Sequence, residues 1–200
     1  MFSNKDLRKL IIPLVIEQLL AVTIGMADTV MVSSCGEAAV SGISLVDSIN
    51  FLLITLFSSL ATGGAVIASQ YIGRGDHKSA SLAAKQLFYA SLALSAVLGV
   101  IAVFFRKPVL NMVFGSIEAD VMAHAQIYFL LSAISYPFLA VYNAGAALFR
   151  SMGDSRTTML ISILMNTINI VGNAILIYGF QMAAAGAATA SLVSLSLIHI

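Results

Sequence analysis

Residues 48–72 read SINFLLITLFSSLATGGAVIASQYI and contain no Asp, Glu, Lys or Arg. A helix needs roughly 20 apolar residues to cross the ~30 Å hydrocarbon core of a membrane, so this stretch is long enough to span one. Its apolar residues are continuous and do not alternate with a period of two, which favours a helix over a strand of a membrane barrel. The segment therefore predicts a transmembrane helix.

Similar apolar runs recur along the chain, at residues 10–32, 87–105, 125–149 and 157–200. The last run is divided at GFQ, residues 179–181, because a turn-compatible glycine and a polar glutamine interrupt it there. We therefore predict an all-α, polytopic membrane bundle in one domain, with five complete transmembrane helices and a sixth that reaches the C-terminus. The predicted helices lie at about residues 10–32, 44–71, 84–105, 123–149, 157–178 and 183–200.

The composition excludes an ordinary soluble domain, since 60% of the residues are hydrophobic, 10% are charged and the mean hydropathy is +0.98. The net charge of +1 gives no reason to expect a nucleic-acid partner. The single Cys35 cannot form an internal disulfide, and no metal-ligand spacing, nucleophile motif or nucleotide-binding loop is present. We therefore predict a protein that is not an enzyme, needs no cofactor and uses an ion gradient for any active transport.

Lys and Arg predict the orientation of the chain in the membrane. Of the ten Lys and Arg residues, eight precede the first helix or flank the second and fourth connections between helices. Only Arg106 and Lys107 fall in the first, third or fifth connection. The N-terminus is therefore predicted to be cytoplasmic. Two of the predicted cytoplasmic turns, GDHKS at 75–79 and GDSR at 153–156, are alike, which suggests left-handed glycines at helix ends and hints at a helix-pair repeat.

Two carboxylates lie within the first predicted helix, where an ionisable group costs ~2.5–3.5 kcal/mol on insertion scales. Glu17 and Asp28 are eleven positions apart. At 100° per residue, the two side chains lie within ~20° of each other around the helix axis, and about 16 Å apart along it. This acidic face is predicted to turn inward. Glu17 has two interpretations, a cavity-lining functional carboxylate or a carboxylate that meets water or Lys9.

The fifth predicted helix carries Asn166, Asn169 and Asn173 within ~60° of one another. Amides bond a carboxyl group in either protonation state, although they also simply join helices together. Further cavity-lining candidates are Gln18, Tyr136 and Asn143, whereas Asp47 is interpreted as an early-helix cap or interface carboxylate. Because the predicted spans contain no Lys or Arg, the interior should favour cations.

Four segments together resemble the multidrug and toxic compound extrusion (MATE) transporters. They are IP at 12–13 with GMADTVMV at 25–32, SQYIGRGD at 69–76, FRSMGDSR at 149–156, and INIVGN at 168–173 with YG at 178–179. The resemblance covers nearly the whole chain, as the N-terminal six-helix lobe of that family. It implies a secondary antiporter of twelve helices in two lobes, which exchanges H⁺ or Na⁺ for small cationic, amphipathic drugs.

The resemblance also implies roles for particular residues. Asp28 matches the ion-coupling carboxylate of the lobe, and Asn169 and Asn173 match polar positions near it. Some branches have an aspartate at the second of these positions, so Asn173 leaves Na⁺ binding at Asp28 open. Glu17 matches no general position. By analogy, the protein is expected to be a multi-pass protein of a bacterial plasma membrane, in contact with membrane lipid.

The chain departs from the family in length, and we expect a fragment that lacks the C-terminal lobe. LSLIHI at 195–200 does not resemble the family's continuation, which leaves open whether this tail is native. Two alternatives remain from the sequence. A lipid-linked saccharide flippase of the same superfamily would need basic residues inside the spans for its anionic substrate, and a non-transporting membrane scaffold would use the acids for packing.

Overall fold

The computed structural model describes residues 4–197, except for the side chains of residues 5 and 6. It contains α1 (Asn4–Ser33), α2 (Glu37–Gly73), α3 (His77–Phe114), α4 (Ala119–Ser151), α5 (Ser155–Asn173) and α6 (Ala183–Leu197), and α5 continues as a π-helix over Ala174–Gly179. Within the described range there is no strand. Five helices are long and apolar enough to cross a membrane, and α6 is a shorter apolar helix. The predicted all-α membrane bundle is thereby confirmed, although residues 198–200, the predicted end of the sixth helix, lie outside the described residues.

The third helix differs from its predicted bounds, because it continues to Phe114 instead of ending near residue 105. Phe105 departs from helical geometry with φ −108° and ψ 19°, and Pro108 follows within the same helix. Proline removes a backbone donor and its ring crowds the carbonyl four residues earlier, which kinks a helix. The predicted helix end therefore corresponds to a kink, and Arg106 and Lys107 lie on a helix and not in a loop.

The two similar Gly-Asp turns adopt the same conformation. Gly75 and Gly153 have φ of 74° and 85°, the left-handed region that favours glycine. The next residues, Asp76 and Asp154, each accept a hydrogen bond from the backbone N–H three positions later and so cap α3 and α5. Hydrogen bonds from Ser79 and Thr157 lower the pKa of these two carboxyl groups. The predicted left-handed glycines are confirmed.

The connection between α5 and α6 is built differently. Gly179 lies inside the π-helix, and the positive φ values belong to Gln181 (55°) and Ala183 (45°). A left-handed conformation costs about 1–2 kcal/mol for a non-glycine residue. The break in the last apolar run is therefore where the sequence predicts it, but the glycine is not the residue that reverses the chain.

The helices pack in two groups of three, α2 with α3 and α4, and α1 with α5 and α6; α4 also packs along α6 and joins the groups. The first group holds the largest buried side chains, among them Phe57, Phe129 and Tyr136. A Cβ on Gly42 of α2 would lie 2.9 Å from backbone atoms of α4, so these helices touch because the side chain is absent. The candidate site lies between the two groups.

Candidate functional site

A cavity of ≈ 180 Å³ lies where α1 and α6 of one group face α2 and α4 of the other. Two carboxylates line it, Asp28 from α1 and Asp47 from α2, together with hydroxyl groups from Ser44, Tyr128 and Ser191. The remaining lining residues are mainly small or apolar, and none is Lys or Arg. The cavity therefore combines two acidic groups and several hydroxyl groups in a wall that is about half polar and half apolar.

Asp28 is held by an amide of α5. Asn173 is completely buried, and its Nδ2 donates to Oδ1 of Asp28 at 2.6 Å. The same Nδ2 donates to Oδ1 of Asn169 at 3.2 Å, and Asn169 Nδ2 donates to Oγ of Ser191 at 3.0 Å. One hydrogen-bonded chain thus links α1, α5 and α6. It brings together the three residues predicted to couple ion movement, and it adds Ser191, which the sequence analysis did not single out.

Asp47 accepts a hydrogen bond from Tyr128 Oη at 3.0 Å and a longer one from Asn50 Nδ2 at 3.4 Å. Asn50 in turn accepts from Tyr136 Oη at 2.9 Å, so the cavity-lining candidate Tyr136 belongs to the network behind Asp47. The interpretation of Asp47 as a helix cap is wrong, because α2 begins at Glu37, ten residues earlier. The uncharged run at 48–72 suggested a helix start close to Asp47 and hid its position inside the helix.

Glu17 lies on the same face of α1 as Asp28 but has other partners. Arg150 Nη1 lies 3.2 Å from Glu17 Oε1, and Thr158 Oγ1 donates to Oε2 at 3.4 Å. Glu17 is 8% exposed. Its pair with Arg150 is the only ion pair among the side chains that the structure describes. The expectation of an interior without fixed positive charge is therefore wrong at Glu17, since Arg150 extends from the last turn of α4. Lys9, named as one alternative partner of Glu17, is not the cation that pairs with it.

The other predicted cavity residues lie apart from Asp28. Asn166 donates to Ser162 Oγ at 3.3 Å within α5, and Asn143 donates to the Leu139 carbonyl at 3.0 Å within α4. Gln18 is on an exposed face of α1, beside a shallow apolar groove. The structure brings none of these three side chains to the cavity of Asp28 and Asp47, because each lies on a helix face turned elsewhere or at a different height.

The chemistry available to this cavity is the binding of protons or small cations. In the described part of the chain no group of three or more His, Cys, Asp or Glu side chains is arranged to hold a metal ion. Both carboxylates lie in helices that can span a membrane, and neither has a positively charged neighbour in the cavity wall, so their ionised forms are costly when no cation is bound. A proton or a monovalent cation relieves that cost, whereas an anionic ligand would increase it.

A family model described as MatE matches residues 13–175. The "Uncharacterized transporter YisQ" of Bacillus subtilis is 30% identical over 84% of this chain and 36% of its own length. The "Probable multidrug resistance protein NorM" of Thermotoga maritima is 29% identical over 96% of this chain and 42% of its own. A solved structure described as the outward-facing conformation of a multidrug resistance MATE family transporter superimposes with a TM-score of 0.84 at 26% identity, over 97% of this chain and 43% of that one. The chain thus spans less than half the length of these relatives.

Proposed function

The chain belongs to the MatE family, and from that premise we propose that its helices form the N-terminal lobe of a secondary antiporter. The antiporter exports small cationic, amphipathic drugs in exchange for H⁺ or Na⁺. It works in a bacterial plasma membrane with the N-terminus in the cytoplasm, where the eight Lys and Arg at that end would lie. Printed names of its relatives, such as "Probable multidrug resistance protein", support the drug-export part of the proposal.

The contact between Asp28 and Asn173 carries the ion-coupling part of the proposal. Asp28 Oδ1 accepts the short bond from Asn173, while Oδ2 accepts none from a described residue. The cavity wall offers no Lys or Arg to neutralise the charge. Because a bare carboxylate inside a membrane is expensive, Asp28 binds either a proton or a cation that arrives from the cavity.

Asn173 allows Asp28 to exist in both states. Asn173 Oδ1 is buried and has no hydrogen-bond partner among the described residues. The oxygen and nitrogen of an amide exchange places when the group rotates by half a turn. The amide donates to Asp28 when the carboxylate is ionised, and after rotation its oxygen would accept from a protonated Asp28. A coupling residue benefits from such a partner, because the carboxyl group of Asp28 finds a hydrogen bond in Asn173 in either protonation state.

Competition between the drug cation and the coupling ion for Asp28 and Asp47 would couple drug export to ion entry. With both carboxylates ionised, the cavity attracts a drug cation. A proton or Na⁺ at Asp28 removes one of these charges and lowers the affinity for the drug, and by linkage the drug lowers the affinity for the coupling ion. Loading from outside therefore releases the drug there. The same charge pattern disfavours the flippase alternative, since an anionic lipid-linked sugar would meet two carboxylates and no cation.

The test is efflux of a fluorescent lipophilic cation from liposomes that contain the protein expressed from its complete coding region. A pH gradient or a Na⁺ gradient is imposed in separate arms, which identifies the coupling ion. In the Asp28→Asn variant we expect gradient-driven efflux to fall to the background rate. Asp120→Asn is the matched control, because Asp120 is exposed at the start of α4, and it should transport normally.

Two outcomes would contradict the proposal. Efflux at the native rate from Asp28→Asn would remove Asp28 from the mechanism. No efflux from the native protein under either gradient, with the protein inserted and folded, would favour the scaffold alternative.

A further inference from the structure

A second opening of ≈ 550 Å³ lies far from the acidic cavity, between the first turns of α1 and α5. Its rim carries three cationic side chains, Arg8 and Lys9 from α1 and Arg156 from α5, all exposed. Its floor is apolar and includes Ile12, Ile16 and Met159. We name this opening the basic groove.

Among the residues whose side chains the structure describes, no carboxylate lines the basic groove. The acidic residue nearest in sequence to Arg156 is Asp154. Hydrogen bonds from Thr157 lower the pKa of its carboxyl group most, and the charge of Arg156 lowers it further. The two carboxylate oxygens of Asp154 accept from the backbone N–H of Thr157 at 3.1 Å and from the Thr157 hydroxyl at 2.6 Å. Glu17, one helical turn beyond Ile12 and Pro13, is paired with Arg150. Arg8, Lys9 and Arg156 form no ion pair with a carboxylate whose side chain is described, so they are accessible to an anionic ligand.

The position of these cations along the helices identifies the kind of anion. Arg8 and Lys9 lie at the start of the apolar span Leu7–Ser33, and Arg156 lies at the start of the span Ser155–Gly179. Residues at the ends of spans lie at the level of the lipid headgroups, where phosphates are found. Ile12 and Ile16 lie about 6 and 12 Å deeper along α1 than Arg8, at the level of acyl chains.

We propose that the basic groove binds an anionic phospholipid, with its phosphate among Arg8, Lys9 and Arg156 and an acyl chain along Ile12 and Ile16. A free phosphate or nucleotide would match the cations but would leave the apolar floor uncovered. The lipid would join the first turns of α1 and α5 at the membrane surface. This site is separate from the cavity of Asp28, and its existence does not depend on the proposed antiport.

The test uses the protein expressed from its complete coding region, in detergent micelles, titrated with phosphatidylglycerol or phosphatidylcholine and observed by native mass spectrometry. The binding variant is the triple substitution Arg8→Gln, Lys9→Gln and Arg156→Gln. The matched control is Arg74→Gln, Lys78→Gln and Lys85→Gln, which removes three exposed cations at the same end of the bundle. All six side chains are exposed, so the melting temperature should change little in either variant.

We expect the native chain to retain phosphatidylglycerol in preference to phosphatidylcholine. The binding variant should lose about tenfold or more of its phosphatidylglycerol affinity, since each cation near an anionic headgroup contributes appreciably, and the control should lose little. Equal losses in the two variants would overturn the proposal, because they would indicate general surface charge. Equal retention of the two lipids, or displacement of phosphatidylglycerol by an equal concentration of glycerol 3-phosphate, would also overturn it.

Discussion

Glu17 and Asp28 lie on one face of α1, and their surroundings are electrostatically opposite. Glu17 faces the guanidinium of Arg150, 3.2 Å away, and a hydroxyl from Thr158. Asp28 is held by the neutral amide of Asn173 and shares its cavity with a second carboxylate, Asp47. A compensated carboxylate has little need of an external cation, whereas an uncompensated one does. Burial on the same helix face is therefore insufficient to identify an ion-coupling residue, and the partner decides.

The largest loss of stability is expected when Glu17 loses the positive charge of Arg150. Arg150→Met keeps an unbranched apolar side chain in place of the aliphatic part of Arg150 but leaves Glu17 buried without its cation. Breaking a fully buried ion pair costs about 3–5 kcal/mol, and the partial exposure of Arg150 (29% of its side chain) reduces the expected loss of unfolding free energy to about 2 kcal/mol. Denaturant titration in detergent measures it.

The double variant Glu17→Gln with Arg150→Met is the control for that prediction. It removes both charges, so most of the lost stability should return. A single variant as stable as the native protein would show that Glu17 is not compensated by Arg150, and the contrast with Asp28 would disappear.

A smaller loss is expected when Asp28 loses its amide partner. Asn173→Ala removes a short bond to the carboxylate and leaves Asn169 Oδ1 without its donor, which we expect to cost about 1–2 kcal/mol. Asn143→Ala is the matched control, because the amide of Asn143 bonds only to the backbone of its own helix. The same denaturant titration measures both variants, and equal losses would argue against a special contact at Asp28.

A variant of Asp47 tests whether this carboxylate only adds negative charge to the cavity or binds the coupling ion as Asp28 is proposed to do. Asp47→Asn should leave efflux active but weaken the apparent affinity for the coupling cation about three- to tenfold, because one of two negative charges on the cavity is lost. The concentration of Na⁺ or H⁺ that gives half-maximal efflux measures this affinity. Complete loss of efflux, as expected for Asp28→Asn, would mean that Asp47 is itself essential, and no change would mean that it acts only in packing.

The smallest effect is expected at Thr158. Its hydroxyl donates to Glu17 over a long 3.4 Å and also bonds to the Ser155 carbonyl at 3.0 Å within α5. Thr158→Val should therefore cost less than about 1 kcal/mol, well below Arg150→Met, if the ion pair supplies most of the compensation. A loss as large as that of Arg150→Met in the same titration would assign the compensation of Glu17 to the hydroxyl.

Much of the fold follows from the sequence, because uncharged runs and helical periodicity are local properties. The inward face shared by Glu17 and Asp28 required only the rotation of 100° per residue, and both side chains do meet partners on α5. Helix ends were less predictable. The kink at Phe105 and the start of α2 at Glu37 depend on helical residues beyond the apolar run, which hydropathy does not detect.

The partners of the polar residues were the least predictable part. Nothing local indicates that Arg150 reaches Glu17, 133 positions earlier, or that Tyr128 meets Asp47, 81 positions away. These contacts depend on how the helix groups are placed beside each other. The pairing of Asp28 with the fifth helix was expected only through the family resemblance. The roles assigned to Asp28, Asn169 and Asn173 stay predictions until transport is measured.

The π-helix at Ala174–Gly179 gives this chain a way to adjust its length. A π-turn closes its hydrogen bonds over five residues and so holds more residues than an α-turn of the same kind. Deleting one residue there would let the segment close as an ordinary α-helix, while Asn173, which precedes it, keeps its place beside Asp28. Because the π-turn accommodates the extra residue locally, the residues that follow would keep nearly their present positions, and Ser191 would stay near Asn169. Single-residue changes in length are thus tolerated at this point, while the contacts of α5 and α6 around the carboxylate are kept.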